Sequence, residues 1–347
     1  MDKTMPKFLV NVRCWTFNQA KYITDSMNGF CMQQTNFPFV CCIVDDASTD
    51  GEQNVIEKYL LDNFDFSENS EAYKKEAEYG FITYARHKNN RNCYFVVIFL
   101  KKNHFSKKKN KLPYLEEWRK PCKYEAICEG DDYWIDSLKL QKQVDAIESH
   151  VGATMVYTAF DTVNEENKKI FRYNYEYNMK HSFSGFLFPN LMFGNFVMTL
   201  SCLYRKEILD SDFFRNTKSY LDYNYFLCAA ALGVCIYLPD VTCCYRKVST
   251  SLMNSHGKSV SIEYLKVWNS YVDYFFQKQI SFSFYKNFLV KTYIVAKGIN
   301  MGIKGYGFSC LTKSLSKKRM YLYIIPALFL ELKYLYSFNF KRLFAEK

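Results

Sequence analysis

Tyr124-Glu125-Ala126-Ile127-Cys128-Glu129-Gly130-Asp131-Asp132-Tyr133-Trp134 is a short apolar stretch that closes on an acidic turn. Its first five residues read as a strand. After the turn, Asp136 is placed to cap a helix whose positions Leu140, Val144 and Ile147 fall at helical spacing. Three carboxylates, Glu129, Asp131 and Asp132, therefore crowd the carboxyl end of a strand, where open α/β sheets bind ligands. Like charges so close repel, and a fold gains nothing from them unless a cation or cationic ligand sits among them. Two readings stand for this turn: a solvated acidic corner, or a carboxylate pair for a divalent metal.

Upstream, Phe8–Val12 reads as a first strand that runs into Arg13-Cys14-Trp15-Thr16-Phe17-Asn18-Gln19. A helix follows with Ile23, Met27 and Phe30–Cys31 on one face. Phe39–Val44 is a near-continuous apolar run, the mark of a strand buried on both faces, and it ends at Asp45-Asp46. Thr49-Asp50-Gly51-Glu52 has the spacing of a capping box ahead of a helix carrying Val55, Ile56, Tyr59 and Leu60. This β-α-β-α order predicts a parallel sheet with right-handed crossovers. From Asp65 to Lys123 the pattern loosens, with strands expected at Phe81–Tyr84 and Cys93–Phe99. Lys101–Lys111 is basic and reads either as a solvated loop or as a loop reaching over a diphosphate. No helix or aromatic platform accompanies these lysines, so nucleic acid is not an expected partner.

Downstream, Ala153–Phe160, Met198–Arg205, Val234–Leu238 and Val241–Arg246 read as strands, and Asp222–Leu232 as a helix stopped by Gly233. Phe171–Asn195 is rich in Tyr, Phe and Asn, which suits a pocket lining or packed core equally. Beyond Ser251 the chain turns to aromatic helical stretches with lysines, at Ile262–Phe276, Phe284–Ala296 and Met320–Phe338. Two domains are expected, 1–255 and 256–347.

The 347 residues are 49% hydrophobic, enough for a sizeable core, and a net charge of +11 suits an anionic partner. The 13 cysteines show neither a disulfide framework nor zinc-ligand spacing, and read as reduced core fillers of a cytosolic chain. The histidines are scattered without metal-ligand spacing. No secretory leader is read at Met1–Thr4, and no run reaches the length of a membrane-spanning helix. From Lys304 onward seven lysines and two arginines face two glutamates, a charge of +7. Such a tail reads as a peripheral anchor on an anionic membrane, as a helical cap on the core, or as an oligomer interface.

The order of these segments resembles the family 2 glycosyltransferases, inverting enzymes of the GT-A fold, and looks most like bacterial members that build surface polysaccharides. The resemblance rests on Trp15-Thr16-Phe17-Asn18, Val44-Asp45-Asp46-Ala47-Ser48-Thr49-Asp50, Glu129-Gly130-Asp131-Asp132-Tyr133-Trp134, Leu221-Asp222-Tyr223 and Tyr245-Arg246, and covers roughly residues 6 to 255. It implies a Rossmann-like, mostly parallel sheet flanked by helices, with a C-terminal helical extension. It implies transfer of a hexosyl or related sugar from a nucleotide-diphosphate donor, UDP carried first, to a glycan or lipid-linked glycan acceptor. Trp15, Thr16, Phe17, Asn18, Asp46 and Ser48 would line the nucleotide site, with Glu129, Asp131, Tyr245 and Arg246 also touching substrate. Asp131 and Asp132 would hold Mg²⁺ or Mn²⁺ in place of the family's DXD motif, and Asp222 would be the general base. The implied location is the cytoplasm, peripheral on the inner face of the membrane.

The sequence departs from the family in two places. Glu129 stands where aspartate is usual, and no histidine follows Tyr245-Arg246 before His256, so no metal or diphosphate contact is expected from that loop. Trp134 reads as core or pocket wall, core being favoured. A sugar nucleotidyltransferase would need a glycine-rich loop after the first strand, and Arg13–Tyr22 has no glycine. The remaining alternative is a non-catalytic nucleotide-sugar or glycan binding module on a degenerate glycosyltransferase fold.

Overall fold

The computed structural model describes residues 6–171, 182–193, 195–217, 221–249 and positions 267, 270 and 271. The expected helices beyond Ser251, apart from those three positions, and residues 172–181 and 194 of the Tyr- and Phe-rich stretch lie outside these residues. The chain divides into two compact units. One comprises Met1–Leu187, Phe196–Arg215 and Cys228–Ser251, the other Phe188–Asn195, Asn216–Leu227 and Leu252–Lys347.

The first unit is built on one sheet. Its strands are β1 (Val10–Thr16), β2 (Phe39–Asp45), β3 (Tyr73–Ala77), β4 (Gly80–Arg86), β5 (Cys93–Leu100), β6 (Tyr124–Ile127), β7 (Tyr133–Trp134), β8 (Ala153–Val163), β9 (Cys202–Arg205) and β10 (Val234–Arg246). Their spatial order is β3-β4-β5-β2-β1-β6-β9-β8-β10-β7. The centre, β5-β2-β1-β6, is parallel, as is the β8-β10 pair. The other ladders are antiparallel, so the sheet is mixed.

Helices α1 (Ile23–Cys31), α2 (Glu52–Asn63), α3 (Glu116–Arg119) and α4 (Lys139–Ser149) belong to this unit. Shorter helices follow: α5 (Phe188–Phe193), α6 (Lys206–Leu209) and α7 (Asp212–Asn216); α8 is Tyr223–Leu232. Side chains alternate across a strand, so β2 feeds two cores. Phe39, Cys41 and Ile43 pack with Ile23, Met27 and Phe30 of α1 and Ile56 and Leu60 of α2. Val40, Cys42 and Val44 pack with Leu115 and Trp118 on the opposite face. This double burial is why β2 reads as an unbroken apolar run.

The structure adjusts several expectations. The first strand begins two residues later and runs on to Thr16, which carries Arg13–Trp15 into the sheet. Val234–Leu238 and Val241–Arg246 are one strand, in which register shifts around Val241 accommodate Pro239-Asp240. Lys142 holds that bulge by pairing with both Asp136 and Asp240 at 2.8 Å. Asp136 caps the turn rather than the helix: its Oδ1 accepts the N–H of Leu138, and α4 starts one residue later. Edge strand β3 escaped notice because Tyr-Lys-Lys-Glu-Ala, mostly exposed, carries no apolar alternation. Among the described residues all twelve cysteines are free and eleven are buried, in keeping with their reading as core fillers. No helix among those residues is long and apolar enough to cross a membrane.

Candidate active site

β2, β1 and β6 are adjacent and parallel, so their carboxyl ends release three loops along one edge of the sheet. The chain leaves β1 toward β2 on one side and returns to β6 on the other. This is the topological switch point at which α/β sheets form their ligand crevice.

The loops after β1 and β2 are stitched together by side chains. Asn18, in the left-handed region at φ 54, donates its backbone N–H to the Ser48 hydroxyl oxygen at 2.9 Å. Its Oδ1 accepts the N–H of Thr49 at 2.8 Å. The N–H of Asp46 donates to the carbonyl of Thr16 at 3.0 Å. Phe17 is exposed, while Thr16 is buried.

Glu52 completes the stitch, and sequence reasoning missed it. The capping box read at Thr49–Glu52 does not form: α2 opens on Gly51 at φ 91 without a side-chain cap, and Glu52 turns inward to 0% exposure. Its Oε2 accepts the N–H of Gln19 at 2.9 Å and the hydroxyl of Ser48 at 2.8 Å. Its Oε1 lies in very close contact with the Thr16 hydroxyl, which also reaches Gln19 Oε1 at 2.8 Å. One hydroxyl proton cannot serve both acceptors, so the arrangement favours the form of Glu52 that carries a proton of its own. Burial pushes the Glu52 carboxyl up, in the direction this arrangement requires, although its hydrogen bonds pull the other way. The tell-tale in the sequence was Asp50-Gly51, whose left-handed glycine turns the chain just ahead of Glu52.

Asp46 faces the loop after β5. Its carboxylate is buried and accepts the N–H groups of His104 at 2.6 Å and Phe105 at 2.9 Å, with Lys111 Nζ at 3.1 Å. Lys111 also sits 5.0 Å over the ring of Trp15, which Arg13 approaches at 5.2 Å. Both oxygens of Asp46 are thus engaged by the chain's own basic loop.

The acidic turn is pinned from beneath. Gly130 donates to the carbonyl of Trp15 at 3.2 Å. A Cβ on Gly130 would meet Thr16 Oγ1 at 2.4 Å and Gln19 Oε1 at 2.5 Å, so only glycine allows this approach. The Ser26 hydroxyl is bracketed by the carbonyls of Gly130 at 2.9 Å and Asp132 at 2.6 Å. Asp131 is half-buried and Asp132 buried. Burial raises both carboxyls; for Asp132 the charge of Asp131 adds to it, and that of Glu129 adds less. Trp134 is core: it is 2% exposed, its indole N–H donates to Leu200 at 3.0 Å, and its ring meets Phe30 edge-on.

Arg246 joins the far strand to this turn. Its N–H donates to Asp132 Oδ1 at 2.8 Å. Its guanidinium lies between the rings of Tyr22 and Tyr133, at 4.6 and 4.9 Å, and Nη2 donates to Asp25 Oδ2 at 2.5 Å and Asn167 Oδ1 at 2.7 Å. Nε and Nη1 are buried and form no hydrogen bond among the described residues. Tyr245 packs against the core with Lys247 beside its ring.

The first unit therefore brings together Trp15–Asn18, Asp46, Ser48, Glu129–Asp132 and Arg246. Asp222 belongs to the other unit; it is exposed, precedes α8, and its Oδ1 accepts the N–H of Tyr223 at 2.8 Å. Among the described residues no group of three or more His, Cys, Asp or Glu side chains is arranged to hold a metal ion. The donor set at the turn is two oxygen-bearing acids whose charged forms are disfavoured alone, which fits a hard divalent cation.

No family model matches the sequence. The uncharacterized proteins Mb1547 of Mycobacterium bovis and Rv1520 of Mycobacterium tuberculosis are each 27% identical over 240 residues, or 69% of this chain. The match spans 59% of the length of each of these relatives. Among solved structures, Staphylococcus aureus TarS 1-349 in complex with UDP-GlcNAc superimposes with a TM-score of 0.52 at 14% identity, covering 84% of this chain and 73% of that one. The crystal structure of S. aureus TarS gives a TM-score of 0.50 at 15% identity over 87% of this chain and 45% of that one. The fold, a large mixed sheet flanked by helices, is thus one that this chain shares with these glycosyltransferase structures.

Proposed function

We propose that this chain transfers a sugar from a nucleotide-diphosphate donor to an acceptor hydroxyl, in one displacement with inversion, as a family 2 glycosyltransferase of surface-polysaccharide assembly. The observation that carries the reading is the adjacent pair of half-buried Asp131 and buried Asp132 at the switch point, on a turn that only Gly130 permits beside the β1 loop. The likeness in fold to a structure that binds UDP-GlcNAc supports a nucleotide-sugar as the donor class.

Asp131 and Asp132 would hold Mg²⁺ or Mn²⁺, which, when bound, offsets the charge that grows on the departing diphosphate. The stitched loops Trp15–Asn18 and Asp46–Ser48 would receive the nucleotide, with Asn18 and Ser48 fixed against each other before it arrives. The buried guanidinium of Arg246 would add a positive potential to the same crevice. Asp222 would accept the acceptor's proton. The domain reading follows: 1–255 would carry transfer, and 256–347 an extension that seats the enzyme on a partner or membrane.

The test is a screen of nucleotide-sugars for donor consumption with and without Mn²⁺, with and without glycan acceptors. Metal-dependent turnover is expected. Donor binding without any turnover would replace this reading by a binding module.

A further inference from the structure

We propose that the loop Lys101–Lys111 is a membrane-docking element that seats the carboxyl edge of the sheet on an anionic lipid bilayer. The inference does not depend on the transfer reading, because it concerns a surface and not the crevice.

An eleven-residue loop with six lysines would gain most from moving freely in solvent. This one is built. Asp46 spends both carboxylate oxygens on the loop, holding the N–H groups of His104 and Phe105. Asn103 donates to the carbonyl of Asp46 at 3.0 Å, and its own Oδ1 accepts the N–H of Ser106 at 2.8 Å. His104 is buried, with its ring nitrogens 2.7 Å from Lys102 O and 3.0 Å from the Tyr114 hydroxyl. The tip then closes on itself, with Lys107 and Lys109 both donating to His104 O and Lys108 in the left-handed region at φ 53.

This rigid frame presents a particular surface. Phe105 stands 51% exposed, flanked by exposed Lys107, Lys108 and Lys109. Lys101 and Lys111 are already paired, to Glu76 and Asp46. Among the described residues Lys107, Lys108 and Lys109 form no ion pair. Three uncompensated ammonium groups beside one exposed ring match a bilayer interface, where lysines meet anionic headgroups and an aromatic ring enters the boundary. A phosphate-bearing polymer would use the lysines but has no need of the phenyl ring. The loop leaves β5 at the same edge as Asp46, so docking would face the crevice toward the membrane.

The experiment uses the full chain with vesicles of phosphatidylcholine–phosphatidylglycerol against pure phosphatidylcholine. Binding is expected to the anionic vesicles alone and to weaken as salt rises. The triple variant Lys107→Gln, Lys108→Gln, Lys109→Gln should lose roughly a hundredfold in partition, each lysine near an anionic surface being worth about fivefold. Phe105→Ser should also weaken binding, and both variants should melt as wild type because every altered side chain is exposed. Absence of wild-type binding, or full binding by the triple variant, overturns the proposal. Loss in the triple variant with no change in Phe105→Ser overturns it too, in favour of an anionic polymer.

Discussion

The backbone N–H of Arg246 and the carboxylate of Asp132 meet at 2.8 Å across 114 residues of chain. The chain's final strand thereby fixes the buried one of two adjacent acids on the turn after β6, while the Arg246 guanidinium sits between Tyr22 and Tyr133. Three segments distant in sequence set the geometry of one carboxylate pair.

That pair should be where metal and donor couple. A donor at a hundred times its Kd stabilises a protein by about 2.7 kcal/mol. In Mn²⁺, wild type is expected to gain melting temperature with its nucleotide-sugar, and Asp131→Asn and Asp132→Asn to gain little. Equal donor-induced shifts in all three proteins would remove the metal role.

Glu52 gives a pH prediction. Its carboxyl is raised by burial, so the folded state keeps its proton to higher pH than the unfolded chain does. Its stabilising contribution is complete below the unfolded glutamate value of about 4.3 and is lost as pH climbs through the raised value. Glu52→Gln, which has no proton to lose, should flatten that part of the stability profile measured by chemical denaturation. Glu52→Ala strips the partners of Gln19 N–H and Ser48 and should cost about 2–4 kcal/mol. An unchanged profile in Glu52→Gln would mean the carboxyl is ionised throughout.

Gly130→Ala tests how tightly the turn is seated. Its new methyl would fall on Thr16 Oγ1 and Gln19 Oε1, the atoms that Glu52 organises. A destabilisation of about 1–3 kcal/mol is expected, with donor binding weakened as the turn lifts. A variant as stable as wild type would show that the turn relaxes freely.

Asp222→Asn separates catalysis from capping. Asparagine keeps an acceptor for the N–H of Tyr223 and serves a helix start as well as aspartate does, so melting should hold. Without a base, transfer should fall by roughly 10²–10⁴-fold while donor affinity stays. Normal transfer in a normally folded variant would send the search for the base elsewhere.

The parts of this architecture that are local were legible in the residues. Phe39–Val44 announced a doubly buried strand, and Gly130-Asp131-Asp132 announced a strand-end acid pair. What escaped depends on contacts that no window of sequence contains. Glu52 has the spacing of a capping residue, and only the inward path set by Gly51 sends it to Thr16, Gln19 and Ser48. The tie between Asp46 and the basic loop some sixty residues on likewise leaves no mark in either local stretch. Pro239-Asp240 looked like a break between strands because a bulge leaves the same local signature as a turn.

The bond between Arg246 and Asp25 spans 221 residues. A ribosome adding about 5–20 residues per second needs roughly ten to forty seconds to make that length. During that interval Asp25 and Asp132 have emerged, and the residue that bonds the first by its guanidinium and the second by its backbone N–H has not. The crevice is therefore finished after synthesis of nearly the whole sheet, and fragments ending before β10 would carry the acid pair without the strand that fixes it.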